Sequence, residues 1–125
     1  MLDDVGAITM FVADPQRSKE FYERVFDVPV AFEDANSAAF NFKHVIVNLL
    51  NVSQAPGLIG PAEVATSGSR MQLTIWVDET DAVVARLAEN GVELLNGPID
   101  RPWGVRTAAF ADPDGHVWEV AQQIR

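Results

Sequence analysis

LTIWVDE, residues 73–79, repeats ITMFVAD, residues 8–14, at a displacement of 65 positions. Each is an apolar strand ending in acids, and each runs into a segment with helical periodicity. After the first, Asp14 suits a helix N-cap and Pro15 suits the first turn. SKEFYERVF (18–26) then sets Phe21, Tyr22, Val25 and Phe26 on one side and charges on the other. After the second, DAVVARLAENG (81–91) turns Val83, Val84 and Leu87 inward and stops at Gly91.

Three strands follow each helix. In the first half they are VPVAFED (28–34), SAAFNF (37–42) and HVIVNLL (44–50), the first two split by the turn signal Asp34-Ala35-Asn36. In the second half they are VELL (92–95), VRTAAFA (105–111) and HVWEVAQ (116–122). Asp112-Pro113-Asp114-Gly115 joins the last two, with Pro presetting φ and Gly accepting a left-handed conformation. The order is therefore β-α-β-β-β, twice, and a repeat of this kind constrains the fold more than any single motif. The expected fold is α+β in one domain, residues 1–125, with modules 1–50 and 71–125. The connector 51–70, NVSQAPGLIGPAEVATSGSR, is rich in Gly, Pro, Ser and Thr, with a short helical turn expected near Pro61–Val64.

Composition excludes several function classes. A chain of 125 residues that is 48% hydrophobic builds an ordinary core. A net charge of −9, with no Lys/Arg cluster, argues against nucleic acid and anionic membranes. There is no cysteine, hence no disulfide, thiolate metal site or Cys nucleophile. The start, MLDDVGAITMFVAD, carries acids where a secretion signal wants bases, and no apolar run reaches membrane-spanning length. Asn51-Val52-Ser53 is then a chance match to a glycosylation acceptor, and a soluble, cytoplasmic protein is expected. Neither His44 nor His116 has a serine or acid arranged for nucleophilic catalysis. APGLIGP (55–61) lacks the Lys and the strand-to-helix setting of a phosphate loop.

VADPQRSKEFYERVF (12–26), FADPDGHVWEV (110–120) and the repeat together resemble the vicinal oxygen chelate superfamily, the glyoxalase, bleomycin-resistance and extradiol-dioxygenase group, over essentially the whole chain. The resemblance implies paired modules forming a curled mixed sheet around a cavity, helices outside, and a homodimer as in many relatives. Enzymes of the group bind a divalent metal through His or Gln, Glu, His and Glu. The matched positions here are Ala7, Asn48, Gln72 and Glu119. Ala7 has no donor, Asn48 and Gln72 offer neutral carbonyls, and only Glu119 keeps a carboxylate. Such a set is poor for a transition metal, which favours imidazole or several charged oxygens. The two histidines begin strands beside turns and read as solvated turn residues. No metal and no other cofactor is expected.

Strand alternation sorts the remaining candidates. Ile8, Met10 and Val12, like Leu73, Ile75 and Val77, should cover the helices. Thr9 and Phe11, with Gln72, Thr74 and Trp76, should face the cavity. PIDRPWGVR (98–106) reads as a rim loop carrying Trp103 and Arg106. The expected ligand-binding set is Thr9, Phe11, Asn48, Gln72, Thr74, Trp76, Trp103, Arg106 and Glu119. It joins flat aromatic surfaces to orienting polar groups, as small-molecule pockets do. Each member has a plainer alternative: Phe11 and Trp76 as core, Gln72 and Asn48 bonded to each other, Arg106 as a solvated residue or as the partner of Glu119. Glu119 itself is expected to be held by donors, Gln72 first, with Asn48 and Arg106 as the others. The function this supports is non-covalent binding of a small molecule, with aromatic ligands the leading class, in the manner of antibiotic-sequestering relatives. The alternatives are a lyase or dioxygenase of the same superfamily with a degenerate or absent metal site, and a scaffold whose cavity is filled by side chains.

Overall fold

A computed structural model describes residues 2–125, and by internal packing it divides into two units, Met1–Ser67 and Gly68–Arg125. In the first, β1 (Ala7–Val12), α1 (Pro15–Val25), β2 (Val30–Glu33), β3 (Ser37–Asn41) and β4 (Ile46–Asn51) follow in the expected order. They form a four-stranded mixed sheet ordered β1-β4-β3-β2, with β1 parallel to β4 and the other pairs antiparallel. Asp14 caps α1 by accepting from the backbone N–H groups of Gln16 and Arg17, with Pro15 opening the helix.

Alternation puts Met10, Val12, Val47, Leu49, Ala38 and Phe40 on the face that α1 covers, and all are buried. Tyr22 of α1 is fully buried against them. Its hydroxyl donates to Met10 Sδ at 3.6 Å and its ring lies 5.8 Å from that of Phe40. Phe26 lies just past the helix as its C-cap, stacked on Tyr22 at 5.3 Å and edge-on to Phe42 at 5.4 Å. Burying side chains of this size contributes about 1.5–3 kcal/mol each, so this aromatic cluster is the strongest tie between helix and sheet.

The connector departs from expectation. Its helical part spans Val52–Ile59, a 3-10 turn over Val52–Gln54 followed by α2 (Ala55–Ile59), rather than Pro61–Val64. The reason is local. Asn51 caps the turn by accepting from the N–H of Ser53, and Pro56 falls at the helix start, where its missing N–H costs nothing.

The second unit repeats the plan with β5 (Gln72–Trp76), α3 (Thr80–Glu89), β6 (Leu94–Arg101), β7 (Val105–Ala111) and β8 (Val117–Gln123), ordered β5-β8-β7-β6. As expected for paired modules, each unit builds its own four-stranded mixed sheet, here with β5 parallel to β8 and the other pairs antiparallel. Leu73, Ile75, Trp118, Val120, Ala108 and Phe110 share the α3 face by register, with Leu87 buried from the helix. The β7–β8 hairpin closes through the expected turn. Asp112 Oδ1 accepts from the N–H groups of Asp114 and His116, and Gly115 takes φ +89°.

Strand six is twice the expected length. Pro98-Ile99-Asp100-Arg101, read from sequence as loop, is strand, and only Pro102–Gly104 turns into β7. As an edge strand β6 tolerates Pro98. Its register slips between Asn96 and Ile99, where three residues of β6 span two of β7. Gly97 sits in this bulge at φ +92°, and a Cβ there would lie 2.5 Å from the carbonyl oxygen of Thr107 and 2.7 Å from Ala108 Cα. Only glycine fits. Among the described residues no helix is long and apolar enough to cross a membrane.

Candidate functional site

In the second unit the register aligns Thr74, Glu119, Ala109 and Asn96 across β5, β8, β7 and β6. The next row is Trp76, Ala121, Thr107 and Ile99, and Gln72 stands beside Val117 one repeat the other way. All of these point away from α3. Neighbouring strands lie about 4.8 Å apart, so Glu119 and Asn96 flank a floor of small residues about 10 Å wide. Trp76 stands at its edge and is 65% exposed.

Glu119 is half-buried, and its Oε1 accepts the hydroxyl of Thr74 at 3.0 Å. This corrects the expectation that Gln72 would hold it. The two are diagonal rather than opposite, and the shorter hydroxyl directly across the parallel pair takes the bond. One carboxylate oxygen is engaged by a neutral donor, and the group keeps its capacity to accept from a second molecule.

Arg106 also lies elsewhere than expected. It pairs with Asp100 and Gln122 in register, which puts it on the α3 face, opposite Glu119. Its guanidinium binds Asp100 and Asp81, each at 2.9 Å, and these carboxylates, Asp100 first, raise its pKa above the ordinary arginine value. Strand parity decides the matter: Arg106 and Glu119 are on opposite faces whatever their distance along the strands.

The cation on the Glu119 face is Arg101, which the sequence reading did not single out. Its Nε donates to Thr107 Oγ1 at 3.0 Å and its Nη2 to Asn96 Oδ1 at 3.4 Å. Its Cζ stands 6.0 Å from the ring of Trp103, which is 71% exposed on the β6–β7 turn. The usable signal was Gly97-Pro98, which marks a bulge and hence a change of parity before Arg101.

In the first unit Thr9 and Asn48 are register partners, and Phe11 pairs with Leu50 on the same face, away from α1. Thr9 is exposed, while Asn48 and Phe11 are half-buried. Ala7 is on this face as well. A separate concavity of about 380 Å³ is lined by connector residues, among them Val52, Ala55, Pro56, Pro61, Glu63 and Val64, and holds none of the expected site residues.

The donor chemistry at the matched metal positions does not fit a transition ion: an alanine, two neutral amides, and a carboxylate already engaged by Thr74. Among the described residues no group of three or more His, Cys, Asp or Glu is placed to hold a metal.

Comparison with known proteins fits this architecture. Metallothiol transferase FosB of Staphylococcus saprophyticus subsp. saprophyticus is 25% identical over 120 residues, covering 96% of this chain and 77% of that protein. Among solved structures, a glyoxalase-related enzyme from Fulvimarina pelagi superposes with a TM-score of 0.84 at 26% identity, over 98% of this chain and 89% of the other. TnmS3, an antibiotic binding protein from Streptomyces sp. CB03234, superposes with a TM-score of 0.74 at 26% identity, over 98% and 97%. The profile of the Glyoxalase/Bleomycin resistance protein/Dioxygenase superfamily matches residues 4–120, nearly the whole chain, and the chain belongs to that superfamily.

Proposed function

We propose that the protein binds a small planar molecule non-covalently and without a metal, on the faces of its sheets turned away from the helices. The observation that carries this reading is the second sheet. A half-buried carboxylate steadied by Thr74 and a largely exposed Trp76 flank a floor of alanines on one face. The indole offers a flat apolar surface, the alanines leave room above the strands, and Glu119 orients a donor on the ligand. Gln72 and Trp103 extend this surface, and Thr9, Phe11 and Asn48 supply the corresponding polar and aromatic groups of the first sheet. Likeness to an antibiotic binding protein supports the reading. It also takes the protein to be a cytoplasmic homodimer, which a light-scattering mass near the 13.7 kDa of one chain would exclude.

The test is titration of a panel of planar antibiotics and aromatic metabolites by calorimetry and tryptophan fluorescence. Saturable binding is expected, weakened by Trp76→Leu. Glu119→Gln should lower stability by no more than about 1 kcal/mol, since an amide oxygen still accepts from Thr74, and should weaken binding more than folding. Absence of saturable binding across the panel overturns the reading. Likeness to a metallothiol transferase and a glyoxalase-related enzyme keeps a lyase or dioxygenase as the alternative. About one transition metal per purified chain, lost in Glu119→Gln, would decide for it.

A further inference from the structure

Arg101 is held in place without a carboxylate. The chain carries 18 acidic and 9 basic side chains, so carboxylate partners are plentiful, and Lys19 and Arg106 both have them. Among the described residues Arg101 has none. It is held by two neutral acceptors, the buried hydroxyl of Thr107 and the amide of Asn96, and its Cζ lies 6.0 Å from the centroid of the Trp103 ring; these orient the guanidinium and none of them is an anion. The bulge at Gly97 is what makes this possible. Asn96 and Arg101 are five residues apart and would lie on opposite faces of a regular strand. The extra residue brings both to the Glu119 face. Nε and one Nη2 hydrogen are used, so Nη1 and the second Nη2 hydrogen are left to form a fork, the geometry that takes a carboxylate in two parallel hydrogen bonds.

We infer that Arg101 is a specificity-determining residue that selects a ligand bearing a carboxylate on a planar aromatic body. The carboxylate sits on the guanidinium fork, and the ring lies along the alanine floor toward Trp76. This rests on the binding reading above and narrows it from planar molecules to planar aromatic acids. Asn96 and Thr107 are positioning residues: they aim the guanidinium and do not touch the ligand.

The experiment compares 2-naphthoate with its neutral counterpart 2-naphthamide on wild type, Arg101→Gln and Arg101→Lys, with thermal melts as the folding control. Wild type should bind the acid about tenfold more tightly than the amide, a preference that shrinks as salt rises. Arg101→Gln should abolish the preference, because acid affinity falls by more than amide affinity, while Arg101→Lys, which keeps charge but loses the fork, should retain only part of it. Trp76→Leu should weaken both probes together. If wild type binds both probes equally and Arg101→Gln changes neither, Arg101 is a clip across the bulge. The inference then fails while the binding reading stands. If neither probe nor any member of the wider panel binds, both fail.

Discussion

Replacing Gly97 by alanine separates two penalties that the structure allows to be counted. At φ +92° an L side chain is strained by about 1 kcal/mol. The new Cβ would also meet the backbone of β7 at 2.5 and 2.7 Å, and backbone cannot rotate away. Relief requires β6 to move off β7, an overpacking cost of about 1–3 kcal/mol. The sum is about 3 kcal/mol. With an unfolding entropy of about 2.1 cal/mol/K per residue, 125 residues give about 0.26 kcal/mol/K, so the melting temperature should fall by about 11 °C. Two controls isolate the parts. Gly115 has φ +89° with nothing within 4 Å of its Cβ position, so Gly115→Ala carries strain alone and should cost about 4 °C. Gly6 has open space and no positive φ, so Gly6→Ala should be neutral or slightly stabilising. Thermal unfolding followed by circular dichroism reads all three. If Gly97→Ala melts with Gly115→Ala, the strands absorb the clash freely. The bulge would then not be pinned, and with it would go the argument that holds Asn96 and Arg101 on one face.

Asp14→Ala removes the acceptor for the N–H groups of Gln16 and Arg17 and should cost about 1 kcal/mol, seen in urea unfolding; a change below about 0.3 kcal/mol would mean that Pro15 and helix packing suffice. Asp34 accepts from the backbone N–H of Asn36 and the hydroxyl of Ser37, which lower its pKa below the ordinary 3.8. A depressed carboxylate contributes stability that is present above its unfolded value and lost as pH falls through the folded one. The β2–β3 turn should therefore hold at pH 4 and loosen only in stronger acid. An NMR titration of the Asp34 carboxyl with a midpoint at or above 3.8 would contradict this.

Much of this molecule was legible before any coordinates, because the features concerned are local. The doubled β-α-β-β-β order, the Asp14 cap, the Asp112–Gly115 turn and the parity of β1 and β5 each depend on residues close in sequence. A cap needs only the next three residues, and alternation within one strand needs only that strand. What the tertiary structure decided involves pairs that no local pattern links. Thr74 and Glu119 are 45 positions apart, and which donor reaches Glu119 is set by the stagger of two parallel strands, a quantity absent from either one. The same holds for the two arginines. Both lie within PIDRPWGVR (98–106), where the sequence reading names Arg106 and passes over Arg101. Pairing of β6 with β7 turned the first toward Asp81 and Asp100 on the helix face. A single extra residue at Gly97 turned the second toward Asn96 and the sheet face of Glu119. A bulge is a mismatch between two strands, so its effect on side-chain direction exists only once the partner strand is in place.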